Sequence, residues 1–219
     1  MVKWFTHLLL ILCPLTGYSQ FGVNVKYLFG QSGILNEANL SQDGMQTSLE
    51  YGFRLKQKRL EFHPALGYRF TWHNTAYDGY FRSVDLDLNT SVYPFDYAGD
   101  CHCPTFSKDG ELFKKGFFLE VSPGISYQTL HRYRAPDGLL LEPVSNSNVL
   151  WKITGAVGLD IGINEHITLT PMLSYTIIAP SDWGGLNTDG SIGNLDDYNM
   201  LGAGLRVTYK PDPKRRRRF

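Results

Sequence analysis

Cysteine is scarce in this chain, and the common catalytic motifs are missing. Only Cys13, Cys101 and Cys103 occur in 219 residues, too few for the disulfide framework of a small secreted domain. The sequence has no HExxH motif, no GxSxG motif and no glycine-rich phosphate loop. Its 21 basic and 21 acidic residues balance, which gives no general affinity for nucleic acid. We therefore predict one domain that is not an enzyme, takes no cofactor and binds no nucleic acid.

A long apolar run is also absent. No segment reaches the roughly 20 apolar residues of a transmembrane helix. The apolar stretch from Leu8 to Leu15 follows Lys3, and the small residues Gly17 and Ser19 then stand at the −3 and −1 positions of a cleavage site, as in a secretory signal peptide. The sequence thus predicts a signal peptide over residues 1–19, a domain over residues 20–210 and a basic C-terminal tail over residues 211–219.

The residues that are abundant favour strands. The chain has 22 Gly, 13 Tyr and 13 Phe, and apolar and polar residues alternate with a period of two, the period of a strand. In the fifth segment, for example, Phe117, Leu119 and Val121 alternate with Glu120 and Ser122. Eight segments show this pattern: Phe21 to Phe29, Met45 to Lys56, Leu60 to His73, Arg82 to Pro94, Gly116 to Thr129, Val149 to Ile163, His166 to Ile178 and Tyr198 to Lys210.

Alternation suits both a soluble β-sandwich and a membrane barrel, because each buries one face of every strand. Three features favour the barrel. The segments have the length of tilted spanning strands, and aromatic residues stand near their ends, as in two aromatic girdles. Long connections (30–44, 74–81, 130–148 and 179–197) also alternate with short ones (57–59 and the turn at Asn164), although 95–115 breaks the rule. We predict an all-β, eight-stranded antiparallel up-and-down transmembrane β-barrel.

Three stretches carry a resemblance to a known class. The signal ends in Gly-Tyr-Ser-Gln, the run Tyr93 to Phe95 precedes Cys-His-Cys-Pro and then Lys-Lys-Gly-Phe-Phe-Leu-Glu-Val, and the last strand reads Gly-Leu-Arg-Val-Thr-Tyr. With them the chain resembles the small outer-membrane β-barrel proteins of Bacteroidota, within the broad OmpA/OmpX-like barrel class. The resemblance implies a bacterial outer-membrane location, lipid as neighbour, a monomer, and an assembly signal at Gly204, Val207 and Tyr209 for the barrel assembly machinery. The nine residues after Tyr209 and Lys210 depart from that class.

The polar face of each segment predicts which side chains fill the interior of the barrel. Eight strands enclose a space that side chains just fill, so opposite charges on this face are expected to pair. We interpret them as a salt-bridged plug, with a gated polar path for ions as the alternative. The predicted lumen charges are Lys26, Glu50, Arg54, Glu61, Arg69, Asp85, Asp87, Glu120, Lys152, Asp160 and Arg206.

Three weaker candidates remain. Cys101, His102 and Cys103 offer ligands for a soft metal ion, but three consecutive residues cannot close on one tetrahedral ion without strain, so a structural turn or a disulfide competes and no metal is predicted. His73, Ser83 and Asp85 are the candidates for a rim hydrolase, with ordinary rim residues as the alternative. The run Lys214 to Arg218 suits either anionic headgroups or a solvated tail.

The function predicted first is a structural or interaction role, in which the barrel anchors surface loops that meet an unidentified surface or periplasmic partner. The first alternative is the transport of small solutes through the lumen, and the second is a rim hydrolase. Loops set such functions, so the sequence names no ligand.

Overall fold

The computed structural model describes residues 20–32, 41–54, 60–73, 79–95, 116–134, 140–164, 166–179, 181–186, 192–195 and 198–211. Eleven strands lie in these ranges. They are β1 (Gln20–Ser32), β2 (Ser41–Arg54), β3 (Leu60–His73), β4 (Gly79–Val92), β5 (Phe117–Arg134), β6 (Leu140–Leu159), β7 (Ile161–Gly162), β8 (Ile167–Ile178), β9 (Ser181–Leu186), β10 (Ile192–Leu195) and β11 (Tyr198–Tyr209). No helix in the described ranges is long and apolar enough to cross a membrane.

Eight long strands form one closed sheet. β1 to β6, β8 and β11 pair antiparallel with their neighbours in chain order, and β11 pairs with both β8 and β1. The two-residue strand β7 pairs with β8 in the register that β6 has set, so it continues β6 beyond Asp160. The predicted all-β, eight-stranded antiparallel up-and-down barrel is therefore confirmed as a fold.

The register fixes the tilt of the strands. Following hydrogen-bonded partners around the sheet from Gly22 on β1 leads back to β1 at Ser32, ten residues further along the strand. An eight-stranded barrel with this stagger has strands tilted by roughly 40–45° and an interior that side chains fill. Each hydrogen-bonded row of residues consequently climbs along the barrel axis as it circles the sheet. We call the end that carries Gln20 and Tyr209 the lower end, and the opposite end the upper end.

The faces of the strands follow the predicted alternation. Along β8, exposed residues such as Leu173 and Tyr175 alternate with buried ones such as Ser174 and Thr176. The outward residues are large and apolar on every barrel strand, among them Val23, Leu49, Leu66, Leu86, Leu119, Ile153, Leu173 and Leu205. The inward residues are mostly polar and buried. Because successive residues of a strand point to opposite faces, a mostly polar inner face leaves the apolar residues on the outer face.

Four predicted loops are wrong in part. β1 and β2 extend into 30–44 and β4 begins within 74–81, while the other two loops are mostly strand. Residues 130–148 were expected to connect two strands, but β5 and β6 continue to Arg134 and from Leu140, and pair with each other along this extension. Residues 179–197 contain the two-stranded sheet of β9 and β10. Residues 130–148 carry Pro136, Gly138, Pro143 and several Asn and Ser, a composition typical of turns, whereas backbone pairing can extend a hairpin without an apolar face.

Several predicted features lie outside the described residues: the signal peptide over 1–19, the Cys101, His102 and Cys103 run, and the tail residues 212–219.

Candidate functional site

The lumen of the barrel is the candidate site. The structure places ten of the eleven predicted lumen charges on the inner face of the sheet, and the side chain of Arg54 falls outside the described residues. Eight of the ten are buried, while Lys26 and Asp87 are partly exposed. Buried charges are tolerated only when they are paired and hydrogen-bonded, so their partners decide what the lumen can do.

Asp85, Arg69 and Lys152 form a cluster that we call the upper tier. Asp85 is fully buried, and its carboxylate lies 3.0 Å from Lys152 Nζ and 3.5 Å from Arg69 Nη2. Ser126 Oγ donates a hydrogen bond to Asp85 Oδ1 at 2.6 Å, and Gln46 Nε2 donates one to Asp85 Oδ2 at 3.1 Å. Four side chains from four other strands therefore converge on one carboxylate and join the walls of the barrel.

Asp87 and Met200 complete the upper tier at its edges. Lys152 Nζ also lies 3.0 Å from Asp87 Oδ2, so this lysine bridges two carboxylates. Arg69 donates to Ser83 Oγ at 2.9 Å and to Met200 Sδ at 3.2 Å. The tier thus reaches from β3 and β4 to β6 and β11.

Arg206, Glu50 and Glu120 form the lower tier. Arg206 Nη2 donates to both carboxylate oxygens of Glu120, at 3.0 and 2.8 Å. Arg206 Nε and Glu50 Oε2 form an ion pair at 2.8 Å that lacks hydrogen-bond alignment. Ser91 Oγ donates to Glu120 Oε2 at 2.8 Å, and Asn24 Nδ2 donates to Glu50 Oε1 at 3.1 Å. One guanidinium therefore holds two carboxylates from opposite sides of the lumen.

A third cluster closes the lower end. The Tyr93 hydroxyl lies 2.9 Å from Asp160 Oδ2 and 3.1 Å from Glu61 Oε2, and Thr170 Oγ1 donates to Asp160 Oδ1 at 2.6 Å. Tyr93 follows the last residue of β4, and its burial between these acidic groups raises the pKa of its phenol well above the usual value. A polar cavity of about 10 Å³ beside it, lined also by His63 and Arg206, has room for about one water molecule.

The sequence interpretation missed a set of inward apolar side chains. Leu28, Leu150, Ile178 and Met200 are buried on the inner face toward the upper end, and Phe118 and Met172 are buried toward the lower end. Each has the residue-number parity of the other inward side chains on its own strand, as Phe118 and Glu120 on β5 show. The alternation of residues along each strand therefore predicts that these side chains face inward, although a polar inner face was expected.

Two of the candidate hydrolase residues belong to the upper tier. Ser83 accepts a hydrogen bond from Arg69, and Asp85 has no exposed surface. The side chain of His73 is outside the described residues. Neither Ser83 nor Asp85 is placed to meet a substrate, so these two described residues offer the rim-hydrolase hypothesis no site. Within the described ranges, no group of three or more His, Cys, Asp or Glu side chains could hold a metal ion.

The outer face carries aromatic rings near both ends of the barrel. At the upper end Tyr27 packs against Phe29 and Trp72, and Phe70 packs against Trp72 and Tyr80. At the lower end Phe21 packs against Tyr51, and Phe53 stacks on Phe62. Between these levels the exposed side chains are mainly Val, Leu and Ile. Two aromatic levels that flank an aliphatic belt are the arrangement of barrels that face lipid.

Comparison with known proteins gives matches only among solved structures, since no family model and no curated protein matches the chain. Neisserial surface protein A is 14% identical, with a TM-score of 0.48 over 86% of this chain and 96% of that one. The attachment invasion locus protein Ail of Yersinia pestis is 10% identical, with a TM-score of 0.47 over 89% and 99%. The outer membrane protein OprG of Pseudomonas aeruginosa is 13% identical, with a TM-score of 0.44 over 88% and 96%.

Proposed function

We propose that this protein is a monomeric barrel of a bacterial outer membrane, with a closed lumen, that anchors its upper loops for contact with a partner. The observation that carries the proposal is the reversed distribution of polarity. Charges such as Asp85 and Glu120 are buried inside the barrel, while Leu49, Leu66 and Trp151 are more than half exposed on its outer surface. A soluble protein would not present such a continuous apolar surface to water, but a bilayer solvates it.

The dimensions support a spanning orientation. Most barrel strands have 12–14 residues, and at a tilt of roughly 45° such strands cover about 25–30 Å along the axis, close to the hydrocarbon thickness. In a closed sheet every strand has a neighbour on both sides, so the backbone N–H and C=O groups are hydrogen-bonded within the bilayer. The signal peptide, the assembly signal at Gly204, Val207 and Tyr209, and the Bacteroidota assignment remain predictions from the sequence.

The loop arrangement supports the anchoring role. The connection over 179–197 leaves the upper end, where β5 and β6, with 18 and 20 residues, extend further than the other strands. The connection over 95–115 is long as well but leaves the lower end. Outer-membrane barrels carry their longer loops on the cell surface and both termini in the periplasm. We therefore place the upper end outside the cell, where its loops would meet a surface partner, and the basic tail in the periplasm.

The transport of small solutes is the second candidate, and the lumen argues against it. Both tiers are built from buried, ion-paired side chains that span the barrel. A continuous water column would require breaking at least one pair in each tier, which is costly in a low-dielectric interior.

An accessibility experiment tests the proposed orientation. An epitope tag inserted between residues 135 and 139 should be labelled by antibody on intact cells, whereas the same tag after Phe219 should be labelled only after the outer membrane is permeabilised. Purified protein should also show a β-dominated circular dichroism spectrum and a gel mobility that changes on boiling. Labelling of the C-terminal tag on intact cells would contradict the orientation, and an unchanged gel mobility would contradict the barrel.

A further inference from the structure

Arg82 is a basic side chain on the outer face of the barrel, near its upper end. It lies on β4, is exposed, and shares its face with the aliphatic residues Val84 and Leu86. A charge on the outer face of a membrane barrel costs most at the midplane of the bilayer and least near the interfaces. The depth of Arg82 and the groups around it therefore decide what this charge can do.

The register places Arg82 at the upper aromatic level. Its partner on β3 is Phe70, whose ring packs against Tyr80, the next outward residue above Arg82 on β4. Below Arg82 the outward residues Val84 and Leu86 belong to the aliphatic belt. Aromatic residues that border such a belt lie at the depth of the lipid headgroups. In the proposed spanning orientation, Arg82 is therefore in the headgroup layer.

The guanidinium group of Arg82 contacts an aromatic ring. Arg82 Cζ lies 4.7 Å from the centroid of the Tyr80 ring, within the range of a cation–π interaction. Among the residues that the structure describes, no carboxylate forms an ion pair with Arg82. Asp43 is an acidic residue on the same face, but it lies on β2, beyond β3, and hydrogen-bonds Tyr27. Because a ring supplies no oxygen acceptor, an anion can still bind the N–H groups of this guanidinium.

Two hydroxyl groups continue the polar patch across the neighbouring strands. Thr129 on β5 is the register partner of Arg82, and Ser147 on β6 is the partner of Thr129. The two hydroxyl oxygens lie 3.1 Å apart at the surface. The Cβ atoms of directly paired residues are about 4.5–5.5 Å apart, so Arg82 and Thr129 can contact one anion, with Ser147 beside them.

Phosphate is the anion that suits this patch. A guanidinium group donates parallel hydrogen bonds to two phosphate oxygens, and hydroxyl groups can donate to the remaining ones. An apolar surface begins directly below the patch, where Tyr127 and Val149 are paired and more than half exposed. Acyl chains can lie on that surface while the phosphate meets Arg82. This combination of charge and apolar surface fits a phospholipid better than a soluble anion.

We propose that Arg82, Thr129 and Ser147 form a binding site for the phosphate group of a lipid at the upper end of the outer face. The site rests on the proposed function, which places the upper end outside the cell, and it names a phosphorylated lipid of the outer leaflet as a ligand. Tyr80 is the positioning residue of Arg82. A lipid bound here bridges β4, β5 and β6 below the extended β5–β6 hairpin.

Native mass spectrometry of the folded mature barrel in an uncharged detergent tests the proposal. The wild type should bind phosphatidic acid more tightly than diacylglycerol with the same acyl chains. Arg82→Gln should lower the affinity for phosphatidic acid about fivefold and leave that for diacylglycerol unchanged. Lys210→Gln, the matched control, removes the same charge at the lower end and should retain the affinity. Excess inorganic phosphate should not displace the lipid.

The other outcomes overturn the site. Equal affinity of the wild type for the two lipids would show that the phosphate is not recognised, and equal losses for Arg82→Gln and Lys210→Gln would show a response to net charge alone. Displacement by inorganic phosphate would indicate a site for a soluble anion. Should Arg82→Gln fail to fold, Thr129→Val removes only a hydroxyl and should still weaken phosphatidic acid binding about two- to tenfold.

The failure of this site and the failure of the proposed orientation can be told apart. Epitope labelling that reversed the two ends would contradict the orientation, while selective binding of phosphatidic acid through Arg82 would still support the phosphate site. Labelling as expected, together with no preference for phosphatidic acid, would overturn the site and leave the orientation intact.

Discussion

Arg206 on β11 and Glu120 on β5 meet across the lumen, with Arg206 Nη2 3.0 Å from Glu120 Oε1 and 2.8 Å from Oε2. The two residues are 86 positions apart in the chain, and two other strands, β6 and β8, lie between them in the sheet. The contact therefore braces the barrel wall across its interior, independently of the backbone hydrogen bonds. Loss of this contact should lower the free energy of unfolding without first changing the secondary structure.

Replacing Glu120 with Ala should destabilise the barrel by about 3–5 kcal/mol, because the variant removes one partner of a buried ion pair and leaves Arg206 undercompensated. Unfolding by denaturant from lipid vesicles measures the change. Ser91→Ala is the matched control, since it removes only the hydrogen bond of 2.8 Å to the same carboxylate, and it should cost about 1.5–3 kcal/mol. Equal losses for the two variants would contradict the bracing role of the ion pair.

Two positions of β5 on opposite faces of the sheet should respond differently to substitution. Leu119 is exposed on the outer surface near the lower end of β5, opposite Val92, the last residue of β4. Leu119→Arg should weaken membrane insertion because it places a charge against lipid, by less than the roughly 2–4 kcal/mol that a charge costs at the midplane. Ser122 is buried in the lumen, and Ser122→Thr keeps its hydroxyl and should be mild. Insertion into liposomes, followed by the gel-mobility shift, measures both. If the two variants inserted equally well, the assigned faces would be wrong.

Two glycines on β6 provide a sharper comparison. A Cβ atom at Gly158 would clash with the ring of Phe118, whereas a Cβ at Gly155, on the outer face, would meet nothing within 4 Å. We expect Gly158→Ala to cost about 1–3 kcal/mol through overpacking. Gly155→Ala should be neutral or stabilising by up to about 1 kcal/mol, because glycine is unfavourable within a strand. The difference in unfolding free energy checks this, and a larger loss at Gly155 would refute the packing of the lumen.

The alternation of residues was enough to predict the barrel and the faces of its strands, because a period of two is local. The parity that puts Glu120 inside and Leu119 outside can be read from the sequence. The pairing of charges could not be read in this way. Which carboxylate Arg206 meets depends on the ten-residue stagger around the sheet, and that stagger is the sum of eight registers. The extension of β5 and β6 was missed because it carries no apolar face that specifies a strand.

The hydroxyl of Tyr93 predicts a pH dependence at alkaline pH. Its pKa is raised well above the usual value because the phenol is buried beside Glu61 and Asp160. The folded protein therefore keeps this proton at a pH where the unfolded chain has lost it, so the contribution is full below about pH 10 and is lost as the pH rises towards the folded pKa. Wild-type stability should fall with pH above about 10, and Tyr93→Phe should flatten that fall. Denaturant midpoints recorded across this pH range test the prediction. If the midpoint fell equally steeply with pH in both proteins, the prediction would be contradicted.

The final prediction concerns conductance, which separates an anchor from a transporter. Both tiers close the lumen with buried ion pairs, and the interior of an eight-stranded barrel is only wide enough to be filled. Wild-type protein in planar bilayers should therefore show no steady open state and at most brief, small events. Glu120→Ala weakens the lower tier and should raise the frequency of such events without producing a stable channel, since Asp85, Arg69 and Lys152 still close the upper tier. A stable, ion-selective conductance of the unmodified protein would overturn the closed lumen and make transport the leading function.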